Sequence, residues 1–259
     1  MSGPSERTVQ VNGQPCRVWE AGEGEPLGFL AGLGGLPQWP PVLERLAAHR
    51  RVIAPSLPGF PGGLGHDALD SHLDWLLATR DLLNEAGLAE GDLVGVSVGG
   101  ALAADVAAVW PHKVRKLALV GPFGLFDAER PVADVFAQPP RKLGEVVCAD
   151  PGRFAAFTEP PEGADVTEWE IVQTRAMEAA ARILWPLGDT RLARRLGRIR
   201  ADTLLLWGED DRVVPPAYAQ AFAAGMNAST QMRTLPGAGH LADLDQPDAV
   251  AEALLAFLG

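Results

Sequence analysis

The sequence predicts an α/β protein, built as an open, mostly parallel and twisted sheet with helices on both faces. Short apolar runs alternate along the chain with segments that carry apolar residues at helical spacing, as strands joined by crossover helices do. At the amino terminus, the Asn12-Gly13 pair separates two strand-like segments, 8–11 and 16–20. An Asn-Gly pair tolerates positive φ, so these segments predict an antiparallel hairpin ahead of the parallel strands.

The remaining elements follow the hairpin in order. Buried strands are predicted where short apolar runs occur, at residues 27–31, 52–54, 93–96, 117–120 and 204–207, and a further strand is predicted at 230–235. Helices are predicted where the apolar spacing becomes helical, at residues 41–48, 69–83, 101–109 and 216–224. This alternation is typical of a sheet covered by helices on both sides.

Two of the predicted helices have a defined apolar side. In segment 69–83, the spacing places Leu73, Leu76 and Leu77 on one face. A last helix is predicted with Asp245 as its N-cap. Its apolar stripe is formed by Val250, Leu254 and Phe257.

The alternation breaks between about residues 122 and 197. This segment has no strand-like run followed by a crossover helix, only short helical patterns separated by Pro and Gly. Within it, Thr167 to Glu170 form a capping-box pattern, which predicts a helix start there. We therefore predict a core domain of residues 1–121 and 198–259, with a helical cap, 122–197, inserted after the sixth strand.

Composition narrows the classes of partner. The chain has 259 residues, 47% of them hydrophobic, and a net charge of −11, which suits a globular domain and makes a nucleic-acid partner unexpected. Its one basic cluster alternates with Leu and Ile at helical spacing, which favours a solvated helix face. The members of that cluster are Arg191, Arg194, Arg195, Arg198 and Arg200.

The cysteines, the histidines and the apolar runs of the sequence bear on disulfides, cofactors and membrane association. Cys16 and Cys148 are too few for a disulfide framework, and the histidines do not cluster, so we expect neither a metal nor another cofactor. The amino terminus lacks an apolar secretion signal, and no apolar run has the length of a membrane span. We expect a cytoplasmic protein with no membrane partner, either a monomer or a small homo-oligomer.

A serine follows the predicted strand 93–96 and precedes the predicted helix that begins at Ala101. It stands in the pattern Gly95-Val96-Ser97-Val98-Gly99. On the pentapeptide alone, a tight turn explains the glycines equally well, but a strand before it and a helix after it are the context of a nucleophile elbow. Because a serine hydroxyl is a weak nucleophile, it needs an imidazole base and a carboxylate that orients the base.

Both partners follow later strands of the predicted sheet. An acidic run, Glu209 to Asp211, follows strand 204–207, and a glycine-rich loop after strand 230–235 ends in His240. The carboxyl ends of parallel strands share one edge of a sheet, where sites on open sheets are built. The order Ser97, then an acid, then His240 predicts a catalytic triad, with Asp211 as the acid and Asp210 in reserve.

With these motifs, the chain resembles the α/β-hydrolase family, in particular its serine hydrolases with a helical cap. The segment 51–60 also looks like the family's fourth strand and following loop. The resemblance implies Asp211 as the acid, three residues after Gly208, and the backbone N–H groups of Leu33 and Val98 as the oxyanion hole. The chain departs from many members in having Ala31 before Gly32 where they have His, and Ser56 where they have Asp.

The resemblance implies acyl transfer to water through an acyl-enzyme, without a cofactor or metal. We expect a small or medium apolar carboxylic ester as the substrate, since the cap is rich in apolar side chains. Carbon–carbon bond hydrolysis of a vinylogous diketone, lactone or thioester hydrolysis, and a non-catalytic receptor stay open as alternatives. Trp169 and Trp185 fit the core of the cap as well as a substrate contact. The candidate substrate-binding residues are Gly32, Phe123, Trp169, Trp185 and Leu241.

Overall fold

The computed structural model describes residues 3–186 and 188–259 and has an eight-stranded sheet at its centre. In chain order the strands are β1 (Ser5–Val11), β2 (Gln14–Ala21), β3 (Pro26–Leu30), β4 (Arg51–Pro55), β5 (Gly91–Val96), β6 (Val114–Val120), β7 (Asp202–Gly208) and β8 (Thr230–Leu235). Across the sheet their order is β1-β2-β4-β3-β5-β6-β7-β8. The β1–β2 and β2–β4 pairs are antiparallel and all the others are parallel, so the predicted fold class is confirmed.

Local chemistry explains the amino-terminal hairpin and the burial of the central strands. Asn12 and Gly13 have φ of 50° and 73°, as the tight turn of the amino-terminal hairpin requires. In the middle of the sheet, every residue of β3, β4, β5 and β7 after the first is buried, and so are the last four residues of β6. Because successive side chains of a strand point to opposite faces, continuous burial means that both faces of these strands are covered.

Nine α-helices occur in the described residues. They are α1 (Pro41–Ala47), α2 (His72–Glu85), α3 (Ser97–Val109), α4 (Pro140–Val147), α5 (Pro151–Thr158), α6 (Val166–Leu184), α7 (Tyr218–Gly225), α8 (Ala242–Asp245) and α9 (Pro247–Leu258). Helix α1 packs with α8 and α9, whereas α3 packs with α2, β5 and β6. As described, none of these helices has both the length and the apolar character of a membrane span.

The segment predicted as a cap, 122–197, lies between β6 and β7, and we call it the insertion. Apart from residue 187, which lies outside the described residues, it contains α4, α5, α6 and short 3-10 turns, and no strand. This content matches the predicted helical character, while the domain boundaries themselves stay a prediction. The predicted helix around the basic cluster is wrong, because those residues form 3-10 turns at Leu192–Arg194 and Leu196–Arg198.

Three local predictions are wrong because carboxylates and aromatic packing override the sequence pattern. Helix α6 begins at Val166, where the Asp165 side chain accepts backbone N–H groups, and not at the Thr167 capping box. Asp245 does not cap α9, which begins at Pro247 after Gln246. On α2, Leu73 and Leu77 are exposed, since Trp75, Leu76 and Leu82 form the buried face.

Candidate active site

Ser97 lies at the sharp turn between β5 and α3. Its φ is +53°, a left-handed conformation that is rare for residues other than glycine. Such a conformation persists only where the surrounding structure enforces it. A Cβ on Gly95 would lie 2.6 Å from the Gly99 oxygen, and a Cβ on Gly99 would lie 2.4 Å from the Ala31 oxygen. The two glycines are therefore required by close backbone approach on both sides of the turn that carries Ser97.

The structure brings the three predicted catalytic side chains together. Ser97 Oγ lies 2.8 Å from His240 Nε2, and His240 Nδ1 lies 3.0 Å from Asp211 Oδ2. A carboxylate only accepts hydrogen bonds, so Nδ1 carries the proton and Nε2 of the neutral ring accepts from the serine hydroxyl. The side chains of His240 and Asp211 are fully buried, and so is Ser97. We call this chain of hydrogen bonds the relay.

Asp211, and not its neighbour Asp210, supplies the carboxylate of the relay. Asp211 Oδ1 accepts the backbone N–H groups of Val213 at 2.9 Å and Val214 at 2.8 Å, which leaves Oδ2 facing His240. Asp210 is exposed to solvent. The loop after β7 therefore holds one carboxylate in a fixed orientation. An acid that fixes the tautomer of an imidazole must be held in this way.

Two glycines pack beside the relay, of which Gly121 was not predicted and Gly208 was noted only as the residue three positions before Asp211. Gly121 has φ of +49°, and a Cβ there would lie 3.3 Å from Asp211 Oδ2 and 3.4 Å from His240 Nδ1. A Cβ on Gly208 would lie 2.1 Å from the Gly239 oxygen, next to the loop that carries His240. Both glycines stand at the carboxyl ends of strands at the edge of the sheet, and that position is the signal that could have found them.

The predicted oxyanion donors lie on either side of Ser97. Val98 is in the first turn of α3, whose N–H groups have no partner inside the helix. Leu33 is in the loop after β3, and its N–H makes no hydrogen bond within the described part of the chain. A Cβ on Gly32 would lie 3.1 Å from Ser97 Cβ, so this loop packs directly on the serine. Both N–H groups are thus available to a ligand, and their role in catalysis stays a prediction.

The five candidate substrate-binding residues fall into two groups. Gly32 packs closely on both Ser97 and Leu241, and the Phe123 ring packs edge-on to His240 at 5.2 Å between centroids. Trp169 is half-buried and donates from Nε1 to the Thr158 oxygen at 2.8 Å, which ties α6 to α5. Trp185 is 69% exposed, so it belongs to no core. The structure therefore places the first group at the relay and does not place the tryptophans there.

A cavity of about 430 Å³ lies between the insertion and the loop that carries Leu33. Gly34, one of its lining residues, lies two positions after Gly32, the glycine that packs on Ser97. Its lining is mostly apolar, and Glu178 is the one ionisable side chain in it. The full lining is Gly34, Val135, Phe136, Gln138, Pro140, Leu143, Phe154, Gln173, Thr174, Met177, Glu178 and Ala181. Neither this cavity nor the crevices of 530 and 560 Å³ elsewhere has a relay residue in its lining.

Asp243 lies on α8, three residues after His240, and burial raises its pKa to about 6. Its Oδ1 is buried without a hydrogen-bond partner in the described structure. Because the native carboxyl binds its proton more tightly than the unfolded chain does, its contribution to stability is full below about pH 4 and is lost as the pH rises through about 6. Ionised Asp243 therefore destabilises the native state at neutral pH.

Replacing Asp243 by asparagine should remove this pH dependence. Relative to the wild type, Asp243→Asn should gain about 2 kcal/mol in free energy of unfolding between about pH 4 and pH 8, since one pKa unit corresponds to about 1.4 kcal/mol. Urea unfolding of both proteins at the two pH values measures the difference, in which the other titrating groups cancel. A difference between the two proteins that is independent of pH would contradict the prediction.

A mostly parallel sheet with this site at its carboxyl edge defines a hydrolase of the α/β class. The model of the family described as "Alpha/beta hydrolase family" matches residues 29–253, and the chain belongs to this family. Within the described residues, no group of three or more His, Cys, Asp or Glu side chains is arranged to hold a metal ion.

Three similar proteins represent the comparisons. The chain is 30% identical over 234 residues to 2-hydroxy-6-oxo-2,4-heptadienoate hydrolase of Pseudomonas putida, covering 81% of this chain and 80% of that protein. It is 29% identical to a dihydrolipoyllysine-residue acetyltransferase component of an acetoin cleaving system, also of Pseudomonas putida, covering 99% and 70%. The crystal structure of a membrane phospholipase A superposes with a TM-score of 0.79 at 25% identity, covering 99% and 86%.

Proposed function

We propose that the chain is a serine hydrolase that cleaves a small or medium apolar carboxylic ester through an acyl-enzyme intermediate. The observation that carries the proposal is the relay, in which Ser97 Oγ lies 2.8 Å from a ring nitrogen of His240 that is itself oriented by Asp211. A serine in this setting loses its proton to the imidazole as it attacks, and the buried carboxylate stabilises the resulting cation.

The reaction proceeds in two steps, acylation of Ser97 and hydrolysis of the acyl-enzyme. His240 Nε2 takes the Ser97 proton while Oγ bonds to the ester carbonyl carbon, and the N–H groups of Leu33 and Val98 donate to the oxyanion. The tetrahedral intermediate collapses to the acyl-enzyme, and His240 returns the proton to the leaving alcohol. Water then attacks the acyl-enzyme in the same way, which releases the carboxylic acid and restores Ser97.

The cavity favours an uncharged apolar substrate. Its side chains are mostly apolar, and the one ionisable group among them, Glu178, is an acid. A substrate with a carboxylate would find no cationic side chain in this lining, because the nearby Arg182 is already paired with Glu178 at 3.2 Å, and burying an unpaired charge opposes binding. An ester with an apolar acyl or alcohol portion meets no such cost.

Carbon–carbon bond hydrolysis is the second candidate, because the name of the 30% identical relative describes a dienoate hydrolase. A serine, an imidazole and an oxyanion hole can serve that chemistry as well as ester cleavage. Lactone or thioester hydrolysis and a non-catalytic receptor are weaker candidates. A cytoplasmic location, supported by two buried cysteines that form no disulfide, and a monomer or small homo-oligomer belong to the same proposal.

A substrate panel tests the proposal. We expect p-nitrophenyl esters to turn over, with kcat/KM rising about three- to four-fold per added methylene until the cavity is full, because each buried CH₂ contributes about 0.8 kcal/mol. A 2-hydroxy-6-oxo-dienoate in the same panel should be a poor substrate. Inert esters beside a dienoate that turns over would replace the proposal by the second candidate.

A fluorophosphonate separates both enzymatic candidates from the receptor. Because it reacts with an activated serine whatever the natural substrate is, the wild type should carry one adduct, which peptide mass spectrometry should locate at Ser97. A folded protein without an adduct, and with no turnover of any ester, lactone, thioester or dienoate, would favour the receptor.

A further inference from the structure

One buried carboxylate connects the loop of His240 to the insertion. Asp245, on α8, accepts the N–H of Gly239 at 2.7 Å and the N–H of Ala149 at 2.8 Å through Oδ2. Its Oδ1 accepts the N–H of Asp150 at 3.2 Å. Gly239 immediately precedes His240, whereas Ala149 and Asp150 join α4 to α5. Asp245 therefore holds two separate segments of backbone with hydrogen bonds to a charged acceptor, which are stronger than neutral ones.

A second contact fastens the same two segments. The Leu241 N–H donates to the Val147 oxygen at 2.8 Å. A Cβ on Gly239 would lie 2.7 Å from the Ala149 nitrogen and 2.8 Å from the Cys148 carbonyl carbon, so the backbones touch. We call residues 147–150 and 239–241, together with Asp245, the junction. His240 is thus held on one side by Asp211 and in its own backbone by the junction.

The junction also borders the helices that form the cavity. Leu143 on α4 and Phe154 on α5 line the 430 Å³ cavity, and α4 and α5 meet at Ala149 and Asp150. Whatever fixes the α4–α5 connection therefore fixes the cavity wall relative to His240. Cavity and base are parts of one packed unit, and Asp245 is the charged group that joins them.

We infer that Asp245 is a positioning residue, which holds the His240 ring at hydrogen-bond distance from Ser97 by clamping its loop to the insertion. The expected effect on catalysis rests on the proposed function, whereas the hydrogen bonds that clamp the loop are observed in the structure. An asparagine at this position would keep one acceptor oxygen for the Gly239 and Ala149 N–H groups but lose the charge that strengthens those hydrogen bonds, and its NH₂ group would face the Asp150 N–H, whose hydrogen bond would be lost. The loop of His240 would then be free to shift, and small displacements of a base are costly.

Cys148 provides a direct reporter of the junction. It lies between Val147 and Ala149, is 1% exposed, and its thiol pKa is raised by burial and by the neighbouring charges of Asp245, Asp243 and Asp150. Opening of the junction would expose this thiol to alkylation. Cys16 is buried in β2, on the other side of the sheet order, and serves as the internal reference.

The experiment compares Asp245→Asn with Asp248→Asn, an exposed acid on α9 whose side chain is 78% accessible. In Asp245→Asn we expect the rate of fluorophosphonate labelling of Ser97 and kcat for the best ester to fall about ten-fold, with KM changed less than about two-fold. Alkylation of Cys148 by iodoacetamide, followed by peptide mass spectrometry, should accelerate about ten-fold, and that of Cys16 should not change. Asp248→Asn should match the wild type in every readout.

Two outcomes would overturn the inference. Wild-type labelling of Ser97 beside faster alkylation of Cys148 would mean that Asp245 secures the insertion only, and so would a raised KM with unchanged kcat. If the ester panel is inert but Ser97 labelling still falls in Asp245→Asn, the proposed function fails and the positioning role stands.

A second variant covers the case in which Asp245→Asn does not fold, which would be seen as equal acceleration of both cysteines. Asp245→Glu keeps the charge and both acceptor oxygens but lengthens the side chain by one methylene, so the carboxylate can no longer lie at its present distances from the Gly239 and Ala149 nitrogens. We expect about three-fold slower Ser97 labelling in the folded variant. An unchanged labelling rate there would contradict the inference.

Discussion

Replacing Ser97 by alanine should lower kcat/KM for the best ester by about 10⁴-fold or more, the scale on which serine hydrolases lose activity when a triad member is removed. Alanine lacks the oxygen that bonds to the acyl carbon, and it leaves His240 Nε2 without its partner at 2.8 Å. The fluorophosphonate adduct should disappear in the same variant. Steady-state kinetics with p-nitrophenyl esters and intact-mass analysis measure both effects.

Ser56→Ala is the matched control. Ser56 is also buried, at 5% exposure, and its hydroxyl makes no hydrogen bond within the described structure, so its loss should leave kcat/KM within about two-fold of the wild type. Thermal unfolding of both variants checks that the fold is kept, since alanine at 97 must adopt the same positive φ as serine. Residual activity of a few per cent in Ser97→Ala would mean that another group is the nucleophile.

The complete burial of Ser97 and His240 has consequences for catalysis. A relay closed off from bulk water acts in a medium of low dielectric, where hydrogen bonds to developing charge are strengthened. The same burial requires that a substrate reach Ser97 by displacing residues that cover it. The cavity wall formed by α4, α5 and α6 adjoins Gly34 in the loop that carries Leu33, so we expect that displacement in the insertion.

The sheet and the relay were predictable from the sequence for physical reasons. Strands such as β6 and β7 are buried on both faces, so their sequences contain continuous apolar runs. The carboxyl ends of these parallel strands then place Ser97, Asp211 and His240 at one edge of the sheet. Close packing at the elbow demands Gly95 and Gly99, which makes the nucleophile position visible as a local motif.

Other features depend on contacts between distant parts of the chain. Asp245 has the local pattern of a helix cap, yet its partners include Ala149, which lies far away in the sequence. The cavity is lined by Leu143, Phe154 and Met177, which lie on three different helices. None of these residues belongs to a sequence motif that predicts a shared pocket. Trp185 has the apolar character of a core residue, but the chain turn that follows α6 leaves it in solvent.

The acid of the relay provides the second large prediction, because the loop after β7 offers neighbouring carboxylates. In Asp211→Asn, we expect the amide oxygen to take the place of Oδ1, where it accepts the N–H groups of Val213 and Val214 at 2.9 and 2.8 Å. The amide NH₂ then faces His240 Nδ1, which must give up its proton to accept that hydrogen bond. Nε2 becomes protonated in the neutral ring and cannot accept the proton of Ser97.

Asp211→Asn should therefore lower kcat by about 10⁴-fold while the fold and KM change little, as expected when an imidazole is held in the wrong tautomer. Asp210→Asn is the matched control: it is adjacent, exposed and outside the relay, so kcat should stay within about two-fold of the wild type. Ester kinetics of the two variants, with circular dichroism as the folding check, measure the contrast. Equal losses in both variants would show that the loop tolerates no amide, and a larger loss in Asp210→Asn would assign the acid to the other carboxylate.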